Sequence, residues 1–377
     1  MKISRLWAVA RKEYLHIFRD PRSLGMGIAI PMVMLLLFGY ALTLDVNNVP
    51  LLVWDQSRSP ASRELISRFS GSHYFSVKAF VEDYGSIERA IDRRAALAAL
   101  IIPVDFAQKE GAGRRAPVQM IVDGSDSNTA TIALGYAEVI TLAYSQELAF
   151  RAVQRGGGLL PAPPLDLRPR VWFNAELESR NYIIPGLIAV IMMVIAALLT
   201  SLTVAREWER GSMEQLISTP IKGPELILGK LLPYFTIGLC DVLLAVLMGE
   251  FLFQVPLRGN PVLIFVMAAI FLAGTLSLGM LISIATKNQL LASQLAMVLT
   301  FLPAFLLSGF AYPIRSMPLA LQYITYLIPA KYFVTLLKGI YLKGVGPEVL
   351  WVEGAFLTVF AVLMLLLANR KFKKKLA

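Results

Sequence analysis

Charge is scarce in this sequence. Only 16% of its 377 residues are Asp, Glu, Lys or Arg, against 56% hydrophobic, and the mean hydropathy is +0.62. A soluble domain carries roughly a quarter charged residues, so much of this chain calls for a solvent other than water. Cysteine is almost missing: Cys240 stands alone inside an apolar run, which excludes a disulfide framework. The two histidines, His16 and His73, are far apart and have no second ligand nearby, so no zinc centre is expected. Asp123-Gly124-Ser125-Asp126 has oxygen ligands without calcium-loop spacing and reads as a turn with a helix cap. A phosphate loop is lacking as well. Five residues separate Gly223 from Gly229-Lys230 where four are required, and Leu231 stands where Ser or Thr should follow. No catalytic residue, cofactor site or metal site is expected.

What is present is a series of long apolar runs. A spanning helix needs about 20 apolar residues. Ser23 to Leu44, Tyr182 to Val204, Leu226 to Met248, Pro261 to Thr286, Asn288 to Phe310 and Leu350 to Asn369 each qualify. The fold class expected is an α-helical polytopic membrane protein with about six transmembrane helices. Ser316 to Ala330 is apolar but too short, and Pro318 and Pro329 make it a re-entrant or interfacial segment. The first run is too long for a cleavable signal peptide and reads as a retained anchor.

Basic residues set the orientation. Lys2, Arg5, Arg11, Lys12, Arg19, Arg22, Arg206, Arg210, Lys222, Lys230, Lys287 and the cluster Arg370–Lys375 fall on the side of both termini. The short loops opposite hold only Arg258, Arg315, Lys331, Lys338 and Lys343. This is the positive-inside bias. It also accounts for the formal charge of +10, so the basic balance belongs to a membrane face and not to nucleic-acid binding.

Residues 1–21 form a different kind of helix. Ile3, Leu6, Trp7, Ala10, Tyr14, Ile17 and Phe18 share one face, with Lys2, Arg5, Arg11, Lys12, Glu13 and Arg19 on the rest. His16 is placed on the polar side. Such a helix lies in the membrane plane, and Asp20-Pro21 ends it. The first span follows over 22–44.

Residues 45–175 read as an inserted extracytoplasmic α/β domain. Strands are expected at Pro50–Trp54, Tyr74–Val81, Ala98–Ile102 and Val118–Val122, and helices at Ser59–Phe69 and Ser86–Ala95. Ser59-Pro60 forms a cap and first turn. Asp126-Ser127-Asn128 caps a long helix to about Arg155, and Gly156–Gly158 with Pro161–Pro164 forms a linker. The membrane domain then occupies 176–377.

Between the second and third spans, Glu207-Trp208-Glu209-Arg210-Gly211 leads into a short helix from about Ser212 that Pro220 ends, with Met213, Leu216 and Ile217 facing inward. Glu207 to Ile221, with Pro224-Glu225-Leu226 and Gly229-Lys230, resembles the cytoplasmic loop of ABC-2 type transporter permeases. Val171-Trp172-Phe173-Asn174 leading to Tyr182-Ile183-Ile184-Pro185-Gly186 resembles the same family. So does the block from Leu307-Ser308-Gly309-Phe310 through Tyr312-Pro313, Met317-Pro318 and Ile328-Pro329-Ala330 to Leu342-Lys343-Gly344. One departure is Ala175, where a proline is expected.

The resemblance implies an exporter permease in a bacterial inner membrane, with both termini cytoplasmic. It would work as a dimer with a second copy or a paralogue, driven by separate cytoplasmic ATPase subunits that use ATP and Mg. Residues 206–222 would be the coupling loop, with Glu207, Glu209, Arg210, Gly211, Glu214 and Pro220 forming the joint. The stretch 312–342 would be the outer gate, with Tyr312, Pro313, Pro318 and Pro329. A periplasmic membrane-fusion adaptor is a further expected partner, and amphipathic drugs or similar small molecules are the expected cargo. Asp241, inside the third span, faces protein or water, since an ionised Asp there costs about 2.5–3.5 kcal/mol. It is either a cation-attracting residue on the substrate path or a buried carboxylate bonded to a neighbouring helix. An ion-gradient-driven secondary transporter would need paired intramembrane charges. A membrane-anchored sensor would explain the outer domain alone.

Overall fold

The computed structural model describes residues 2–42, 48–155, 173–174 and 178–372. They form two compact units, one from residues 1–43 with 170–377 and one from 44–169. The linker at 156–164, Val171-Trp172, Ala175 and the end of the first apolar run lie outside the described residues.

In the first unit, α1 (Ile3–Arg19) ends where Asp20 takes an extended conformation before Pro21. The first apolar run is helical from α2 (Pro21–Leu24) through a π-helical stretch at Gly25–Ala29 to α3 (Ile30–Ala41). The wide turn sits at Gly25 and Gly27, where there is no side chain to resist it, and leaves a shorter apolar helix at Gly27–Ala41.

The second unit is a four-stranded sheet with helices on both faces. Along the chain come β1 (Val49–Asp55), α4 (Pro60–Ser70), β2 (Phe75–Phe80), α5 (Tyr84–Asp92), β3 (Ala98–Ile102), α6 (Phe106–Gly111), β4 (Gln119–Val122) and α7 (Ser127–Arg155). The strand order is β2-β1-β3-β4, with the first three parallel and β4 antiparallel. Leu51, Val53, Leu100 and Ile102 face α4 and α7, while Leu52, Ala99 and Ile101 face Ile87 of α5. That both faces are covered explains why β3 is an unbroken apolar run. Ser59 accepts from the Ser62 amide and Pro60 opens the first turn. Arg151 of α7 bonds Glu64 of α4 at 2.8 and 3.2 Å, and this hydrogen bond holds the Glu64 carboxyl below its usual range. Two expectations shift. Helix α6 is additional, and α5 begins at Tyr84 and ends at Asp92, because Asp83 caps it and Arg94 turns left-handed.

Returning to the first unit, α8 (Ser179–Glu209) is buried along nearly its whole apolar length. It is followed by α9 (Ser212–Ser218), α10 (Gly223–Leu247, extended by a π turn at Met248–Leu252), α11 (Pro261–Thr286) and α12 (Gln289–Leu307). Then come α13 (Leu319–Thr325), α14 (Pro329–Lys338, with a π turn at Gly339–Lys343) and α15 (Pro347–Lys371). Among the described residues, five helices are long and apolar enough to cross a membrane: α8, α10, α11, α12 and α15. Helix α12 stops at Leu307, short of Phe310, because Gly309 adopts φ +77°. The short apolar stretch after it folds as a 3-10 turn at Ile314–Ser316 and helix α13.

Helix α8 is the hub, and α11 approaches it closely. A Cβ on Gly279 would lie 2.2 Å from Thr200 Oγ1 and 2.3 Å from the Ala197 carbonyl. Thr200 Oγ1 donates to the Leu276 carbonyl at 2.9 Å, and Ser283 Oγ accepts from the Val204 and Ala205 amides. Small residues of this kind bring membrane helices into backbone contact. Gly279→Ala is therefore expected to abolish the well-folded protein, read as loss of the monodisperse peak in detergent. Gly135→Ala, in α7 with open space around it, should instead stabilise by up to about 1 kcal/mol. Equal behaviour of the two variants would contradict this packing.

Candidate functional site

Helix α8 continues past its apolar stretch to Glu209, and Gly211, at φ +71°, reverses the chain into α9. A residue with a Cβ resists that conformation. Met213 is fully buried, and Leu216 and Ile217 pack on the membrane core, as their spacing predicts. Arg210, Glu214, Gln215, Ser218 and Pro220 are left exposed. Pro220 lies just beyond the end of α9, and Pro224 opens α10.

Beneath this short helix is a buried charge cluster. Lys230 of α10 is 2% exposed. Its Nζ lies 3.1 Å from Glu13 Oε2 of α1 and 3.2 Å from Glu207 Oε1 of α8. Tyr234 donates to Glu13 Oε1 at 3.2 Å, Lys12 Nζ lies 3.0 Å from Glu207, and Ser212 Oγ of α9 donates to Glu207 as well. Two cations and two carboxylates from three helices thus meet, with the Ser212 hydroxyl of α9 bonded to one of them. They meet because Gly229 has no side chain: a Cβ there would lie 2.8 Å from Val9 Cβ and 2.9 Å from the Leu6 carbonyl.

Around the cluster, α1 is fastened at several further points. The Lys2 amide donates to Glu225 Oε1 at 2.7 Å, Arg5 donates to the Pro220 carbonyl, and Arg206 Nη1 meets His16 Nε2 at 2.7 Å. On the opposite flank, Glu209 accepts the Gln289 amide at 2.7 Å and its side-chain amide too, which holds the start of α12. Lys287 sits 4.4 Å above the Trp208 ring.

This geometry changes one position in the amphipathic reading of α1. Val9, Ala10, Glu13 and Ile17 are its buried residues, whereas Ile3, Trp7 and Phe18 are exposed. Glu13, placed among the polar residues, faces inward because the buried Lys230 ammonium demands a counter-charge. His16 is held by Arg206 and is not simply on a solvated face. A sequence signal did exist: Lys230, eight residues into α10, lies at a depth where a cation needs a carboxylate partner.

Asp241 is also 2% exposed, lying among Met192, Ile195, Tyr234, Gly238, Leu272 and Leu276. Among the described residues its Oδ1 has no hydrogen-bond partner. The adjoining cavity is only about 10 Å³, at the lower limit for one water. At the opposite end of the helices, Tyr312 is exposed, Pro313 precedes the 3-10 turn, Pro318 caps α13 and Pro329 opens α14. The Gly309 carbonyl accepts from Tyr182 at 2.8 Å and from Lys338 Nζ at 3.1 Å, and Phe310 packs on Gly186. The sequence placed Tyr182 at the second span and Lys338 in an outer segment, without the shared contact at Gly309.

A family described as ABC-2 family transporter protein matches residues 21–369. This chain belongs to the ABC-2 transporter family. A relative named "Probable multidrug ABC transporter permease YbhS", from Escherichia coli K12, is 40% identical over 374 residues, covering 99% of this chain and 97% of the relative. YbhR of the same organism, named likewise, is 30% identical over 347 residues, 92% of either chain. ABC transporter G family member 20 of Dictyostelium discoideum is 23% identical over 96% of this chain, which spans 49% of that protein. The chain is a transport permease of an ABC exporter, a membrane protein and not an enzyme, and the ATPase activity belongs to separate ABC subunits.

Removing one member of a buried ion pair leaves the other charge uncompensated and costs roughly 3–5 kcal/mol. Lys230→Ala is expected to lose about that much stability. Replacing both members with apolar residues, Lys230→Met with Glu13→Leu, should recover part of it. Thermal unfolding in detergent checks both, and a Lys230→Ala protein as stable as the parent would contradict the cluster.

Proposed function

We propose that the chain is one of two permease copies, homomeric or paired with a paralogue, in a drug exporter of a bacterial inner membrane. The helical stretch from Pro21 to Ala41 rises roughly 30 Å at helical pitch. This supports counting it as a sixth span with both termini cytoplasmic. Residues 45–175 are then extracytoplasmic, where a membrane-fusion adaptor could dock on them. The multidrug names of YbhS and YbhR favour amphipathic drugs as cargo.

The observation that carries the coupling assignment is the contrast between the two sides of α9. Glu207 and Glu209, at the end of α8, are held within the chain by Lys230 and Gln289, while Arg210, Glu214, Gln215 and Ser218 have exposed side chains. The exposed side seats in a groove of the ATPase. Glu207 and Glu209 act from behind, with Glu207 tying α8 to α10 and Glu209 tying it to α12. ATP-driven closure of the ATPase pair then moves α1, α9 and the attached spans together. Tyr312, Pro313, Pro318 and Pro329 mark the helix boundaries of the outer gate, which the Tyr182–Gly309–Lys338 contact keeps shut. Asp241 lies on the substrate path and meets cationic cargo once α8, α10 and α11 separate.

Charge reversal at the exposed side, Arg210→Glu with Glu214→Arg, is expected to weaken co-purification with the co-expressed ATPase roughly tenfold or more. Protein yield should not change. Full association of the reversed variant would sink the assignment of this face. Asp241→Asn should selectively reduce export of cationic drugs, measured as accumulation in cells, and leave neutral drugs unaffected. Equal loss for both classes would show a structural carboxylate.

A further inference from the structure

A groove of about 410 Å³ opens between α10, α11 and α15 and is capped by Leu6 of α1. Its walls, including Leu232, Phe235, Ala273, Ala361 and Leu365, are almost wholly apolar. The only polar side chain there, Ser277, spends its hydroxyl on the Ala273 carbonyl at 2.6 Å. Leu232 and Val362 leave the mouth of the groove open at the side of the helices. Nothing inside it could orient a polar molecule, so its occupant is hydrocarbon there.

The end of the groove nearest the helix termini is different. Arg370 and Lys371 close α15 five or six residues beyond Leu365, roughly 8–9 Å along the helix. The start of α10 touches this end: a Cβ on Gly223 would lie 3.3 Å from Phe372 Cδ1 and 3.6 Å from Asn369 Oδ1. Gly223 thus meets the Asn369 and Phe372 face of α15, at the same helix end as Arg370 and Lys371, and the side chains of Lys222, Arg370 and Lys371 are exposed. Among the described residues, none of the three makes an ion pair. The nearby carboxylate, Glu225, is 1% exposed and occupied by the Lys2 and Lys222 amides.

From this arrangement we infer that the groove is a site for an anionic phospholipid. One acyl chain lies against Leu232, Phe235, Ala273 and Leu365, and the phosphate sits among Lys222, Arg370 and Lys371. Basic pockets between membrane helices at the headgroup level recognise anionic lipids in this way. Because Leu6 closes the groove, the bound lipid also braces α1, the helix that the Glu13–Lys230 pair fixes from its other side. The inference requires no particular side of the bilayer and no ATPase contact, so it stands or falls apart from the proposed coupling.

The test is native mass spectrometry of the full chain released from nanodiscs of equal phosphatidylglycerol and phosphatidylcholine with identical acyl chains. The parent protein should retain phosphatidylglycerol preferentially. Lys222→Gln with Arg370→Gln and Lys371→Gln should lower that preference roughly tenfold or more. Ala273→Trp, which fills the groove, should remove the retained lipid. Equal retention of the two lipids by the parent would overturn the site. So would an unchanged preference in the charge variant, or a lipid-free parent dimer that Ala273→Trp dissociates, since the groove would then hold a second copy. If Ala273→Trp fails to fold, the surface charge variant decides alone.

Discussion

The structure around α1, α9 and the start of α10 depends on one buried ammonium group. An isolated charge moved out of water costs several kcal/mol even after relaxation, so Lys230 cannot remain inside without partners. Glu13 and Glu207 supply them from two other helices, and Lys12, Tyr234 and Ser212 complete the remaining bonds. The requirement to neutralise this one side chain fixes the rotation of α1, the depth at which it sits and the point where α8 gives way to α9. Such a cluster is costly to disturb and contributes more to uniqueness of arrangement than to net stability. That would suit the proposed joint, which has to pass on motion without deforming.

Close helix approach does the rest. Gly229 lets α1 rest on α10, and Gly279 lets α11 rest on α8. In both places the missing Cβ is accompanied by a polar bond that crosses the same contact: Glu13 to Lys230 in one, Thr200 to the Leu276 carbonyl in the other. Hydrocarbon solvent offers helices little reason to associate, so contact and hydrogen bonding have to supply it. The nearly complete burial of α8 follows, since it is the surface on which α3, α11, α12 and α14 assemble.

Much of this was legible in the sequence wherever the signal is one-dimensional. Helix α11 runs from Pro261 to Thr286 as its apolar run predicts, and β3 occupies Ala98–Ile102 as expected. Ser59-Pro60 caps α4, and the turn at Gly211 leads into α9. What was not legible depends on pairing across hundreds of residues. The pattern of α1 put Glu13 among its polar residues, and only the position of Lys230 says that this carboxylate belongs inside. Glu207 and Glu209 looked like free surface charges because Lys230 and Gln289 are distant in sequence. The π turn at Gly25–Ala29 leaves no hydropathy signal, since glycine and alanine suit either helix type.

The central claim is that α1, α9 and the start of α10 move as one body. Electron–electron distance measurement between spin labels at Ala8 of α1 and Gln215 of α9, both exposed, tests it most directly. It requires the full chain with Cys240→Ser, bound to its ATPase. The account predicts a single narrow distance that is the same in the nucleotide-free and ATP-bound states, and a broadened one once Lys230→Met and Glu13→Gln remove the pair. A distance that shifts between nucleotide states in the otherwise intact protein would contradict it.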